Sequence, residues 1–329
     1  MLLAGDIGGT KTLLGTYTRV GRRPSSLQVQ RFSTLDFDGL DRMIATFLKA
    51  LPRDVTIDAA CFGVAGPVRG NVSELTNVPW RVDASEISNR FSIPSVCLVN
   101  DLVAMGYAAS VLSVDELAIL QPGYPVSGGN GALIAPGTGL GEALLHNING
   151  RFVPIASEGG HADFAPRTAR EIELLVSLTT RFGRASWEHV LSGPGLTNIF
   201  RFVHAGDHCR TVASGAAATE LPALLTESAL RRRCTRCVEA LDMFVGALGA
   251  EASNLGLRAE ATAGVFIGGG IPAKILPALR SPTFLKAFHR KSPMEALVSN
   301  MPVSVIQMNN SALLGAAVAA THLADGEIV

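Results

Sequence analysis

Near its start the chain reads LLAGDIGGTKTLLGTY, Leu2 to Tyr17. Gly5 to Thr12 approaches the P-loop pattern of Gly, four residues, then Gly-Lys-Ser/Thr, with Thr10 in place of the second glycine. A P-loop must open into a helix whose first N–H groups hold phosphate. Here Leu13-Leu14-Gly15-Thr16-Tyr17 carries a glycine and β-favouring residues instead. The stretch therefore reads as strand, tight turn, strand, with Asp6 ending the first strand and Gly8-Gly9 at the tip.

Outward from this hairpin, strands alternate with helices, the pattern of an α/β fold. An edge strand is expected near Leu27 to Phe32 and a helix from Leu40 to Leu51. IDAACFGVAG reads as a buried strand ending in Gly63, Gly66 and Pro67, and SVCLVNDLVAMGYAAS as strand, Asn100-Asp101, helix. A second block starts with NGALIAPGTGLGEALLHN, where an apolar strand again runs into a glycine turn, Gly137-Thr138-Gly139-Leu140-Gly141, and leaves as a strand. A dinucleotide fold would need Gly-x-Gly-x-x-Gly opening a helix, which these glycines do not supply.

Farther on, SEGGHADFAP is a polar loop, and Thr168-x-x-Glu171 is a capping box for a helix through Phe182 that Gly183 can end. SWEHVLSGPGLTNIF predicts helix, Gly193-Pro194-Gly195 turn, helix. AGVFIGGGIPAKIL predicts a buried strand, a triple glycine and a helix with Pro272 in its first turn. A strand from Val303 to Met308 and a helix from Ser311 to Leu323 close the chain.

With 329 residues, two lobes are the default expectation. The 28 basic residues balance 28 acidic ones, and no basic run exceeds Arg231-Arg232-Arg233, so nucleic acid is not expected as a partner. Asp6 interrupts the apolar start too soon for a signal peptide, and Ala312 to Ala320 falls short of the roughly 20 residues of a membrane helix. A cytoplasmic protein with no membrane partner is expected. Five cysteines do not suggest a disulfide framework. Cys234-x-x-Cys237 lies on a helical stripe with Val238, Leu241, Val245 and Leu248, and with no evident Cys/His pair to complete a zinc site it reads as core.

Two glycine-tipped hairpins, a strand-to-helix Asn-Asp and a strand ending in Gly268-Gly269-Gly270 suit a nucleoside triphosphate: backbone N–H groups grip phosphates, and the triple glycine lets an adenosine approach the backbone. In this order the motifs resemble those of bacterial glucokinases, of the sugar kinase, actin and Hsp70 superfamily. The resemblance rests on Gly5-Asp6-Ile7-Gly8-Gly9-Thr10, on Gly137-Thr138-Gly139-Leu140-Gly141 and on Gly268-Gly269-Gly270. Asn100-Asp101, Glu158-Gly159-Gly160-His161 and WEHVLSGPGLTN are similar to the glucokinase sugar site. Lys11, where such enzymes often carry Asn, leans toward the related repressor, open-reading-frame and kinase (ROK) group. That group's cysteine-rich zinc motif is absent, since Ala162-Asp163-Phe164 follows His161, which favours the zinc-free branch.

The resemblance implies a two-lobed actin-like ATPase (ribonuclease H-like) fold, with a cleft between a small α/β domain (1–110 plus 310–329) and a large one (111–309). It implies ATP-dependent phosphorylation of glucose to glucose 6-phosphate, with ATP and Mg²⁺ as cofactors and a homodimer as the assembly. The alternative is a kinase for mannose, fructose or N-acetylmannosamine. A sugar-sensing regulator is not expected, for want of a helix-turn-helix ahead of the hairpin. An assembly or chaperone ATPase would lack the sugar set.

Asp101 is read as the general base, since a sugar hydroxyl attacking phosphorus must lose a proton to a carboxylate in reach. Asn77, Asn100, Asp101, Glu158, His161 and Glu188 are the expected sugar ligands, because hydroxyls that both donate and accept need carboxylates and amides around them. Trp187 is read as packing. Gly5, Asp6, Ile7, Gly8, Gly9, Thr10, Gly137, Thr138, Gly139, Gly141, Gly268, Gly269 and Gly270 are the expected nucleotide residues. Asp6 is also expected to reach Mg²⁺ through water, because a carboxylate beside a phosphate turn repels the nucleotide unless a cation lies between them.

Overall fold

Strand alternation shows most clearly at the start of the chain. In the computed structural model, which describes residues 1–52, 55–75, 78–207, 209–212, 217 and 219–327, Leu2–Ile7 (β1) buries both faces. Leu3 and Ile7 join Met43, Phe47 and Phe62 on one side. Leu2 and Ala4 join Tyr107, Leu313 and Ala316 on the other. Such a strand must be central in its sheet.

It is central. Lys11–Thr18 (β2), Ser25–Ser33 (β3), Ala59–Val64 (β4) and Ser95–Asn100 (β5) complete a sheet of order β3-β2-β1-β4-β5. β1 and β2 are antiparallel with Ile7 opposite Thr12, and β4 and β5 run parallel to β1. The opening stretch is thus a hairpin and opens no helix. The helix Leu40–Lys49 covers one face. The helices Asp101–Ala109 and Ser311–Ala324 cover the other. These two pack backbone to backbone: a Cβ on Gly315 would run into the Ala104 carbonyl. Gly63 needs the same closeness, since its Cβ would lie 2.9 Å from that of Ala104. Two missing side chains therefore fix the depth at which the Asp101–Ala109 helix sits.

Met1–Ser113, Arg151–Ala156 and Met308–Val329 form this compact unit, and Val114–Gly150 with Ser157–Gln307 form a second. In the second, Leu117–Gln121 (β6), Gly131–Pro136 (β7), Leu140–Ile148 (β8), Gly264–Ile267 (β9) and Val303–Ile306 (β10) lie in the order β8-β7-β9-β10-β6. β7 and β8 are an antiparallel hairpin with Pro136 opposite Leu140, and β9 runs parallel to β7. The long helix Thr235–Ala259 is the spine of this unit's core. Its Gly249 allows the helix Pro282–His289 to approach, because a Cβ there would strike the Phe284 carbonyl.

Three expectations need correction. SWEHVL forms turns, not a helix, and Gly193-Pro194 begins the helix Gly193–His204 with Ser192 as its N-cap. Pro272 stands in a turn ahead of a short helix, Leu276–Leu279, and not in a helical first turn. Cys237 is core as expected, but Cys234 is half-buried at the N-cap of Thr235–Ala259, and both sulfurs stand among His204 and Cys209, a Cys/His pair the local pattern concealed. Thr168 caps Ala169–Phe182 as expected, its hydroxyl accepting from the Glu171 N–H at 3.2 Å, and Gly183 ends that helix at φ +76°. The Glu171 carboxylate, however, accepts from Arg167 N–H at 2.6 Å, one residue upstream of the reciprocal capping bond.

Candidate active site

In the first unit, parallel pairing places Asp6 beside Gly63, and Val64 beside Asn100. The carboxyl ends of β1, β4 and β5 therefore share one sheet edge, where open α/β sheets bind ligands. The β1–β2 turn is tight: the Gly8 N–H donates to the Lys11 carbonyl at 3.1 Å, and a Cβ on Gly8 would lie 2.8 Å from that oxygen. Thr34 buttresses it from outside. Its hydroxyl donates to the Gly8 carbonyl at 2.8 Å, its N–H donates to the Thr10 carbonyl at 3.1 Å, and it pairs with the Thr12 hydroxyl at 2.9 Å. Nothing around FSTLDF marks Thr34 locally, so the sequence reading misses it. Of the expected nucleotide residues here, Gly8, Gly9 and Thr10 shape the turn. Gly5 and Ile7 are strand residues, and a Cβ on Gly5 would lie 2.5 Å from the Phe62 ring.

Asp6 is held among protein atoms. Burial, then the negative charge of Asp101, lifts its pKa to about 6, while Lys11 works in the opposite direction. Asn100 is the N-cap of the following helix: its Oδ1 accepts from the Leu102 N–H at 3.0 Å, and its Nδ2 donates to the Gly66 carbonyl at 3.2 Å. Asp101, at the first helical position, shares this N–H, its Oδ1 accepting from Leu102 at 2.9 Å. Desolvation pushes the Asp101 pKa up and hydrogen bonds from the Leu102 N–H, its own N–H and Asn100 pull it back. The side chain is open to solvent, so desolvation is felt only in part.

In the second unit the Gly137 N–H donates to the Gly139 carbonyl at 2.8 Å, and the Gly137 carbonyl accepts from the Gly193 N–H at 2.9 Å. The Leu140 N–H donates to Glu188 Oε2 at 2.9 Å, and a Cβ on Gly139 would lie 2.6 Å from that same oxygen. Glu188 is itself fastened by its N–H to the Gly160 carbonyl at 2.8 Å. His161 follows: its Nδ1 is 4.0 Å from Glu188 Oε1 and its Nε2 is 3.9 Å from Glu158 Oε2. The structure thus brings Glu158, His161 and Glu188 together on the shoulder of the glycine turn. Trp187 is buried edge-to-face on Phe164 at 5.0 Å, a packing residue. Asn77 lies outside the described residues.

The triple glycine leans on the same strand. The Gly268 N–H donates to the Ile134 carbonyl at 2.8 Å, and Gly269, at φ +88°, would set a Cβ 2.5 Å from the Pro136 carbonyl. Only glycine fits there. Pro136 runs directly into Gly137, so one strand end carries both expected nucleotide elements.

Beneath this floor lies Glu142, which no local pattern singles out. It is fully buried, neither carboxylate oxygen has a hydrogen-bond partner, and Arg258 stands 3.8 Å away. Burial, then the charge of Glu251, pushes its pKa up to about 7.

A polyol-sized set of carboxylates and imidazole beside phosphate-type glycine turns, on mixed α/β sheets, is that of a sugar kinase with the actin-like ATPase fold. The family model "Glucokinase" matches residues 3–323. The glucokinase of Nostoc sp. (strain PCC 7120) is 35% identical over 351 aligned positions, covering 98% of this chain and 99% of its own. Among solved structures, a glucokinase from an Antarctic psychrotroph superposes with a TM-score of 0.87 at 29% identity, covering 98% of each chain. A Balamuthia mandrillaris glucokinase in complex with glucose shares the fold, with a TM-score of 0.76 at 23% identity over 97% of this chain and 93% of its own. The chain belongs to the glucokinase family, and its activity is ATP-dependent phosphorylation of glucose.

Proposed function

We propose that Asp101 is the general base of this reaction. It takes the proton of the glucose 6-hydroxyl as that oxygen forms its bond to the γ-phosphorus of ATP and the bond to the ADP oxygen breaks. What supports this is the placement of Asp101 at the β5 end. Its carboxylate is open to solvent in the first helical turn, where the Leu102 N–H, donating to Oδ1 at 2.9 Å, favours the ionised form. A base in hydrogen-bond reach of its proton contributes about 10² to 10⁴ in rate.

Glu158, His161 and Glu188 hold sugar hydroxyls, and Asn77 and Asn100 add amide contacts. The observation that carries the reading is the double engagement of Glu188. One oxygen holds the glycine turn through Leu140 and the other faces His161. A carboxylate shared between a phosphate-type turn and a hydroxyl-binding set suits an enzyme that must hold a polyol and a triphosphate at once.

The turns at Gly8-Gly9-Thr10 and at Gly137-Thr138-Gly139 offer N–H groups to the phosphates, and Gly268 to Gly270 leave room for adenosine. Mg²⁺ fits Asp6 by donor chemistry: a hard carboxylate oxygen beside a phosphate turn, with Asp101 adding negative charge, is the setting a water-keeping dication occupies. Bound there, Mg²⁺ offsets phosphate charge. Lys11, next to it, contributes positive charge at the same turn.

A coupled assay with ATP and Mg²⁺ over glucose, mannose, fructose and N-acetylmannosamine tests substrate identity. The expected result is kcat/KM highest for glucose. Highest kcat/KM on another sugar of the panel would move the assignment to that sugar.

A further inference from the structure

Away from the sugar residues, the second unit gathers four soft or borderline metal donors from three parts of the chain. His204 ends the helix Gly193–His204, Cys209 follows in the next loop, and Cys234 and Cys237 occupy the N-cap and first turn of Thr235–Ala259. The ligand atoms of all four lie within 4.8 Å of one another. Cys209 Sγ is 3.7 Å from Cys237 Sγ, and Cys234 Sγ is 3.7 Å from His204 Nε2. Two sulfurs bonded at about 2.3 Å to one tetrahedral zinc stand about 3.8 Å apart, whereas a disulfide draws them to about 2.05 Å.

The surroundings fit a ligand set better than they fit core packing. His204 is 3% exposed, and its Nδ1 is 3.0 Å from the Phe200 carbonyl. That bond fixes the tautomer: Nδ1 carries the proton and donates, so Nε2 turns its lone pair toward the sulfurs, as in zinc-bound histidines. Cys234 and Cys237 stand at the N-cap and in the first turn of a 25-residue helix, so two of the sulfurs reach the cluster from one helix end. Two thiols of a helix end, a third from a loop and a buried imidazole from another helix converge on one point.

We propose that His204, Cys209, Cys234 and Cys237 bind one zinc ion. Each thiol releases its proton to solvent on binding, and neutral His204 donates through Nε2, giving a Cys₃His site. Four protein ligands leave no open position, so the ion is structural and not catalytic. It ties the end of the helix Gly193–His204 and the Cys209 loop to the start of the helix Thr235–Ala259. The longest ligand separations contract by about 1 Å to reach tetrahedral spacing. The site is distinct from the sugar residues and does not depend on the roles assigned to them.

The test is elemental analysis of the untagged wild-type chain, purified reduced and without chelators, with Cys209→Ser and the double variant Cys234→Ser/Cys237→Ser beside it. The proposal expects about one zinc per chain in the wild type and less than about a tenth of that in either variant. Cobalt(II) exchanged into the wild type should show thiolate charge-transfer absorption and the strong visible bands of a tetrahedral ion. Stripping zinc should lower Tm by roughly 5 °C or more, with recovery on adding zinc back. The wild-type measurement stands even if a variant fails to fold. Reduced wild-type protein that holds no zinc as purified, nor after incubation with excess zinc and desalting, overturns the proposal. So does a Cys209–Cys237 disulfide, seen as a loss of two hydrogens by mass in zinc-free native protein.

Discussion

The turn at Gly8-Gly9 is held by a neutral group, the Thr34 hydroxyl, which reaches in from the end of a neighbouring strand and touches none of the proposed sugar ligands among the described residues. The turn at Gly137 to Gly139 is held by a carboxylate, Glu188, whose second oxygen faces His161. Both are glycine turns between antiparallel strands, and both exclude a Cβ, at Gly8 against the Lys11 carbonyl and at Gly139 against Glu188. The difference lies in wiring. The Thr34 support of the first turn can be altered without touching Glu158, His161 or Glu188, whereas the support of the second is itself one of them.

That contrast is broken or sharpened first at Glu188. Glu188→Ala removes the charged acceptor of the Leu140 N–H and a hydroxyl ligand together. It should lower kcat/KM by about 10², with KM rising for glucose and for ATP alike. Glu188→Gln keeps an acceptor for Leu140 and should recover the ATP KM more than the glucose KM. Steady-state kinetics with each substrate varied decides this, and an effect confined to glucose would show that the two roles are not coupled.

Gly139→Val comes next. Its added branches occupy space already taken by Glu188 Oε2 and stand where a phosphate is proposed, so KM for ATP should rise about 10-fold. An unaltered value would remove Gly139 from the phosphate set. Smaller again is Thr34→Val, which deletes the hydroxyl bridging Gly8 and Thr12. The expected rise in KM for ATP is about 3- to 5-fold, with glucose parameters unmoved, as one neutral hydrogen bond warrants. A glucose effect here would contradict the separate wiring of the first turn.

The smallest effect on activity belongs to Glu142, which acts on stability. Its folded pKa of about 7 lies above the ordinary 4.5, so the folded chain binds the proton more tightly than the unfolded chain. Its contribution is therefore favourable at low pH and is lost as pH rises from 4.5 through about 7. Fully ionised, the buried carboxylate costs on the order of 3 kcal/mol. Glu142→Gln should raise Tm by a few degrees at pH 8 and show no advantage near pH 4. Thermal unfolding at the two pH values measures it, and an equal Tm difference at both would show that Glu142 is ionised throughout.

The hairpins were legible because glycine at a turn flanked by β-favouring residues leaves few alternatives, and β1, β2, β7 and β8 lie where that pattern puts them. SWEHVL was not, because Trp187, Val190 and Leu191 imitate helical spacing. The Trp187 and Glu188 N–H groups are instead spent on the Ala162 and Gly160 carbonyls, bonds no local pattern announces. Asn100 and Asp101 were recognisable as a pair, but that both accept from the one Leu102 N–H depended on backbone angles. The Cys/His cluster stayed hidden for a related reason. Its Cys-x-x-Cys lies on an apolar stripe, and its other two ligands, His204 and Cys209, stand 30 and 25 residues ahead of Cys234. His-x₄-Cys ahead of Cys-x-x-Cys was the available signal.

Asp101 is proposed to act chiefly in the chemical step, with glucose binding and the fold resting mainly on other residues. The most direct measurement is made on Asp101→Asn, which keeps shape and hydrogen bonding but cannot accept the proton: glucose Kd by calorimetry, Tm, and kcat with saturating ATP and Mg²⁺. The account predicts Kd within about 3-fold of wild type, an unchanged Tm, and kcat lower by about 10² to 10⁴. A folded Asp101→Asn protein with wild-type kcat would contradict it.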